Sequence, residues 1–338
     1  MKNVKKYAVG IVLTIVLAVL SQYISSFIPK NIISPGVFAL IIGMLLNPVI
    51  RKYRNFEWGI NFVAKRVLKT AIVLMGLTLS FSQVLSVGAF SIVVMFFTLI
   101  TAFGGGYLLG RLFGMNWKLS SLISAGTGIC GGSAVAAIAP VIKAEDRDIA
   151  YAISATFIFD VLMVILFPIA GSYLGMSDIG YGLWTGTAVN DTSSVVAAGY
   201  AFSDAAGAFA VVVKLTRTLS IVPIVMMFSL INARQEAKLQ NREVKREKVA
   251  IKEIFPYFIL MFLAMVAIKS TGLVPDFVSS NIAVISKFMM VMALAAIGLR
   301  TNFEEASKSG IKPMIHGFII SALVVIVSYV VQVALGQV

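Results

Sequence analysis

Apolar residues run through this chain in long blocks, and polar residues gather at the block edges. A helix needs about 20 apolar residues to cross a hydrocarbon core. The blocks predict helical spans near 6–28, 35–50, 68–84, 88–113, 119–142, 148–170, 180–200, 205–231, 255–270, 282–300 and 311–335, eleven in all. The expected fold class is an all-α polytopic transmembrane bundle of about eleven spans (ten to twelve), with internal repeats and two interrupted helices. Two edges are strongly basic, "RKYRNFEWGINFVAKRVLK" at 51–69 and "NARQEAKLQNREVKREKVAIKE" at 232–253. Basic loops favour the cytoplasm, and with a cytoplasmic N-terminus the span count returns both edges to that side. A multi-pass location in the inner (plasma) membrane follows. The start, "MKNVKK", looks like a signal peptide, but its apolar run exceeds the roughly 7–15 residues of a signal core and no small-residue cleavage site follows. It reads as an uncleaved first span. The 232–253 run mixes both charge signs and reads as a cytoplasmic linker between sub-bundles 1–231 and 254–338 of a single membrane domain.

The pattern fails in one place that matters. Residues 124–143, "SAGTGICGGSAVAAIAPVIK", belong to a span by hydropathy, yet the centre reads Gly126, Thr127, Gly128, Ile129, Cys130, Gly131, Gly132, Ser133. Glycine is a poor helix former and hydroxyls compete for backbone hydrogen bonds. The motif recurs: "GTGICGGSAVAA" at 126–137 aligns without gaps to "GTAVNDTSSVVA" at 186–197. Gly126, Thr127 and Ser133 match Gly186, Thr187 and Ser193. A weaker echo joins 75–88 to 297–310. Hydrocarbon cannot satisfy a free N–H or C=O, so a broken helix persists only where it lines a polar cavity. Paired interrupted spans are the sequence signature of a carrier's binding site. By the span count the two motifs run parallel while the weaker echo is antiparallel, so either one motif is re-entrant or the duplication is a parallel one. Packing glycines are the competing reading, and Gly106, Gly110 and Gly114 form such a stripe, four apart on one helical face.

Four ionisable residues lie inside apolar runs: Asp160, Asp191, Lys214 and Arg217. Each central charge costs about 2.5–3.5 kcal/mol on an insertion scale, so such groups face a partner or a cavity. An Asp160–Lys214 pair is the structural reading. Lys214 and Arg217, three apart on one helix face, lie beside two breaks with fewer acids near them, which favours an anionic solute. Asp160 and Asp191 are the ion-coupling candidates, since a buried carboxyl can exchange a proton. Pro223 is placed to kink the helix that carries Lys214 and Arg217.

Composition narrows the class. The chain is 59% hydrophobic and 13% charged, with mean hydropathy +0.94. The net charge of +13 fits the bias of cytoplasmic loops, and no soluble basic face points to nucleic acid. One cysteine, Cys130, and one histidine, His316, leave no intrachain disulfide, no metal cluster and no catalytic pair. An enzyme, a metal site and a cofactor are therefore not expected. A channel would need a continuous polar pore, for which the spans hold too few polar positions.

Three stretches carry a resemblance. "GTGICGGSAVAAIAPVIKA" (126–144), "NDTSSVVAAGYAF" (190–202) and "VKLTRTL" (213–219) resemble the YeiH-like family of bacterial membrane proteins, a family labelled for sulfate export, and the resemblance runs along nearly the whole chain. It implies an inner-membrane transporter of sulfate or a related small anion. It also implies a distant likeness to bile-acid/sodium symporters, with two bundles and crossed broken helices. The substrate-site positions that follow are Gly126, Thr127, Cys130, Gly131, Ser133, Asn190, Asp191, Thr192, Ser193, Lys214 and Arg217. Related sequences carry His where this chain has Asn190, so a histidine relay at that point is unavailable. The expected function is a secondary carrier of a small anion by alternating access. The alternatives are a proton- or sodium-coupled carrier of a neutral or cationic solute, led by Asp160 and Asp191, and a channel. The expected partners are the lipid bilayer and a small, anionic solute, with a homo-oligomer left open and nucleic acid excluded.

Overall fold

The computed structural model describes residues 2–27, 34–240, 254–301 and 310–337, and the regular structure in them is helical throughout. In chain order the helices are α1 (Lys2–Ser26), α2 (Pro35–Ile50), α3 (Arg54–Phe62), α4 (Leu68–Met75), α5 (Phe81–Ile100), α6 (Gly106–Leu112), α7 (Trp117–Ala125), α8 (Gly132–Ile138) and α9 (Asp146–Tyr173). There follow α10 (Asp178–Ala188), α11 (Thr192–Phe202), α12 (Asp204–Leu219), α13 (Ile221–Gln240), α14 (Tyr257–Ser270), α15 (Asp276–Arg300) and α16 (Ile311–Ala334). Short π-helical turns join α3 to α4, α5 to α6, and end α7 at Gly126–Cys130. Polar side chains set several starts. Ser34, Asn116, Ser177, Asp191 and Ser203 each accept a backbone N–H at a helix N-terminus, and Ser80 with Gln83 forms a capping box.

Six helices among the described residues are long and apolar enough to cross a bilayer: Tyr7–Ser26, Phe81–Leu112, Asp146–Tyr173, Asp204–Gln235, Asp276–Arg300 and Ile311–Ala334. This corrects the expected eleven. Pro35–Ile50 and Tyr257–Ser270 are shorter apolar helices, residues 54–78 wind through α-, π- and 3-10 turns, and the two motif stretches are broken. Window hydropathy sums apolar residues and is blind to a reversal of chain direction, so a bent stretch scores as a span. Large apolar side chains such as Leu85, Phe90, Phe96 and Ile100 of α5 are exposed, as expected of a surface that meets lipid tails.

Both broken stretches are re-entrant hairpins. In the first, Lys118 Nζ donates to Lys143 O (2.8 Å), and a Cβ on Gly126 would stand 3.3 Å from Val135, so α7 and α8 run antiparallel. In the second, Ser203 Oγ donates to Asp178 Oδ1 (2.6 Å), Tyr181 OH donates to Ala198 O (3.0 Å), and the Tyr181 and Phe202 rings stack at 4.0 Å. The bases of the two hairpins stand at opposite ends of α9, a 28-residue helix about 42 Å long at about 1.5 Å per residue. They therefore enter from opposite faces and meet tip to tip. The parallel arrangement and the single re-entrant motif weighed from the sequence both give way to this opposed pair. Pro140 and Val141 at the base of the first hairpin lie with Asn232 and Ile254 toward one side, called here the linker face.

Around the hairpins, α9, α12 and α16 form a core. Against it stands a panel in which α2 and α15 cross at glycines: a Cβ on Gly298 would lie 2.2 Å from Leu40 O, and one on Gly43 would lie 2.5 Å from Ala295 O. Of the glycine stripe in α6, Gly106 and Gly110 make the expected close approach, receiving Ser124 and Ser120 of α7. Gly114 does not. It ends the helix at φ +62° with open space around it, so its role is conformational. Within the Asp204–Gln235 run, α12 ends at Leu219 and α13 starts at Ile221, with a break at Ser220 where Pro223 lacks the N–H that would have bonded Leu219 O. Residues 241–253 of the linker and 302–309 of the weaker echo lie outside the described residues.

Candidate functional site

The hairpin tips bring four helix ends together at mid-depth. The outer limbs, α7 with its π-helical turn and α10, point their C-terminal ends at each other. A helix C-terminus carries about half a negative charge and unpaired carbonyls, so two meeting head-on need cations. Lys214 Nζ donates to Ile129 O and Val189 O, both at 2.9 Å. Arg217 Nε donates to Gly128 O (2.6 Å), Nη1 to Val189 O (3.2 Å), and Nη2 to Thr127 O. Both side chains are fully buried. Three apart on one face of α12, each donates to carbonyls of both tips.

The return limbs, α8 and α11, begin at the same level, and there the compensation is reversed. Asp160 of α9 accepts the Asn190 N–H at Oδ1 (2.8 Å) and the Asp191 N–H at Oδ2 (3.0 Å). Asp191 caps α11, accepting the Ser193 N–H (2.8 Å) and the Ser193 hydroxyl. Both carboxylates thus sit at the amide-rich start of α11 and the cations at the carbonyl-rich ends, the placement helix dipoles favour, while the start of α8 has no side-chain cap. No ion pair forms between Asp160 and Lys214, so the pairing expected from the sequence is replaced by two separate sets of backbone contacts. Gly131 makes the first turn possible. It has φ +64° and ψ −139°, and a Cβ there would lie 3.1 Å from Asp191.

A cavity of about 1200 Å³ reaches the tips from the linker face. Its floor is Cys130, Gly132, Ser133, Asp160, Asp191, Thr192 and Ser193, and its mouth includes Pro140, Asn232 and Phe255. Three cations line it: Lys65 on the π-helical turn after α3, Lys69 on α4 and Arg300 at the end of α15. Lys69 lies over the Phe258 ring at 5.4 Å, and Arg300 is within electrostatic reach of Asp191. None of the three makes a hydrogen bond or ion pair with another described residue, which leaves their charge turned toward the cavity.

The sequence-derived positions separate into groups. Ser133, Asp191, Thr192 and Ser193 face the cavity, with Cys130 and Asp160 at its floor. Lys214 and Arg217 lie behind the tips and outside the lining. Gly126 packs against Thr156, and a Cβ there would lie 2.7 Å from that side chain. Thr127 and Asn190 turn to α16, where Ser321 Oγ lies 3.4 Å and 3.3 Å from their side chains. Ser321 belongs to a buried polar stripe with His316 and Ser328, which meet Ser120 (3.1 Å) and Thr187 (2.6 Å). Lys65, Lys69 and Arg300 line the cavity without standing out in the sequence. Their only sequence signal, a basic residue at a span edge, is the same one that marks a cytoplasmic flank.

Opposed re-entrant hairpins inside a helical, lipid-facing bundle define a multi-pass membrane protein with broken helices. The family model described as Conserved hypothetical protein 698 matches residues 9–317. The chain is 66% identical to a UPF0324 membrane protein of Clostridium tetani, with 99% of each chain covered. It is 39% identical to a UPF0324 membrane protein of Streptococcus pneumoniae, again with 99% of each covered, and 38% identical to one of Streptococcus agalactiae, with 97% of each covered. The chain belongs to this UPF0324, YeiH-like family of membrane proteins.

Proposed function

We propose that the chain is a secondary carrier of a small anion, working by alternating access around the hairpin tips. One observation carries the anion reading: the cavity that ends at the tips is lined by Lys65, Lys69 and Arg300, none of which forms an ion pair with another described residue. Cation-lined cavities concentrate anions. The solute then meets the hydroxyls of Ser133, Thr192 and Ser193 on the floor. From the sequence, Lys214 and Arg217 are the expected gripping residues. With both engaged by backbone carbonyls, the role passes to Arg300 and the tip hydroxyls. Asp160 and Asp191 supply negative charge beside the site and are the groups through which a coupling ion would act. Sulfate or a related oxyanion remains the solute class that the family resemblance suggests.

The competing reading, a cation-coupled carrier of a neutral or cationic solute, is favoured by the same two carboxylates on the floor. Counterflow in proteoliposomes separates the two. Preloaded sulfate, sulfite, phosphate, nitrate or a small carboxylate should drive uptake of its labelled form, and Arg300→Gln should raise the half-saturating concentration about tenfold, the loss of one charge-assisted contact of about 1.4 kcal/mol. Saturable counterflow of none of these anions by the wild type would defeat the anion reading.

A further inference from the structure

The open cavity is half of a route, and the hairpins indicate where the other half lies. Along α8 and the turn after it, Ser133, Ala136, Ala137 and Pro140 face the cavity, across from Lys65, Leu68, Lys69 and Ile72 of the α3–α4 stretch and Ile297 and Arg300 of α15. The motif alignment moves each position by sixty residues, so Ser133, Ala136 and Ala137 map to Ser193, Val196 and Ala197 of α11, and the same offset carried three residues past the motif sets Pro140 against Tyr200. The mapped face looks at the same panel, and there it is shut. Ala197 packs with Val37 and Leu40 of α2, Val164 of α9 and Leu294 of α15. Val196 lies in a cluster with Met75, and Tyr200 OH donates to Met75 Sδ (2.6 Å). One panel therefore faces two equivalent limbs, parted on the linker side and closed on the other.

We propose that the closed half of the route runs along the Val196–Ala197–Tyr200 face of α11, and that the Leu40–Ala197–Leu294 contact is its gate. This rests on the carrier reading. The tips cannot part to open it, because Lys214 and Arg217 tie both to α12. The hairpins, α9 and α12 move as one piece against the panel, closing the α8 side as the α11 side opens. The Leu40–Ala197–Leu294 contact itself is apolar, and the Tyr200–Met75 hydrogen bond and the Lys287–Asp204 ion pair (2.6 Å) on the same side must part with it.

The test uses the full chain with Ala137→Cys, Ala197→Cys or Leu40→Cys, in membrane vesicles of each orientation, probed with a membrane-impermeant maleimide. Cys130 is the only native cysteine, so wild type sets the background. Ala137→Cys should label from the linker face, and Ala197→Cys and Leu40→Cys from the opposite face. In the Ala137→Cys/Ala197→Cys double variant, a bulky adduct placed first from the linker face should cut labelling from the opposite face about tenfold by holding one state. Background labelling of both Ala197→Cys and Leu40→Cys in protein that still shows counterflow would overturn the route. Labelling that ignores the adduct would overturn the alternation. Alternating labelling without counterflow of any anion would instead sink the solute assignment and leave the route standing.

Discussion

Lys214 shows how a side chain that looks like a ligand becomes a brace. Its ammonium fills the gap between Ile129 O and Val189 O, where water cannot reach. Lys214→Met keeps most of the volume and removes the donors, and each carbonyl left bare costs about 1–3 kcal/mol. A clear fall in thermal stability in detergent is expected, smaller for Lys214→Arg. A melting temperature equal to wild type in Lys214→Met would refute the brace. Gly131 is the second residue with a single permitted identity. Gly131→Ala forces a side chain into a conformation with φ +64°, at a cost of about 1–3 kcal/mol, and presses on Asp191. It should lose stability, whereas Ser133→Ala, exposed on the cavity floor at the same tip, should melt near wild type while weakening the proposed anion uptake.

At the scale of elements, the glycines of α6 separate packing from backbone freedom. Gly110→Val would drive a side chain into Ser120, whose Oγ is 2.2 Å from the Cβ position, and overpacking of this kind costs about 1–3 kcal/mol. Gly114→Ala meets empty space and pays only for its positive φ. Unfolding in a denaturing detergent should rank Gly110→Val well below Gly114→Ala, and the reverse order would mean that α6 and α7 do not touch as described. The breaks themselves were legible in the sequence, because glycines and hydroxyls at the centre of an apolar block have few other uses. Their re-entrant form was not. Residues 117–138 form two half-helices whose combined length equals one span, and hydropathy is the same whether the chain continues or turns back. The partners of Lys214 and Arg217 were equally hidden, since backbone carbonyls leave no mark in residue identity. Arg300 was concealed by its position at a helix end, where a basic residue is the ordinary topological flank.

For the whole molecule, the opposed hairpins make a topological claim that ordinary spans would not. Lys118→Cys and Glu145→Cys should label from one face of the membrane, and Tyr173→Cys and Asp204→Cys from the other. Two conventional spans in place of hairpins would put Lys118 and Glu145 on opposite faces, so split labelling of that pair would refute the hairpin arrangement. Each pair brackets a hairpin: Lys118 sits beside Lys143 at the first base, and Asp178 beside Ser203 at the second. The bracing of both tips by α12 also constrains how the chain is made. When a ribosome has delivered residues 117 to 203 to the membrane, the carbonyls of Thr127, Gly128, Ile129 and Val189 have no donors, because Lys214 and Arg217 are still to come. Neither half-helix pair can settle in lipid alone. Nascent chains arrested before residue 214 should therefore stay with the insertion machinery or fall to proteolysis, and the protein becomes a stable resident of the bilayer only after its twelfth helix has been synthesised.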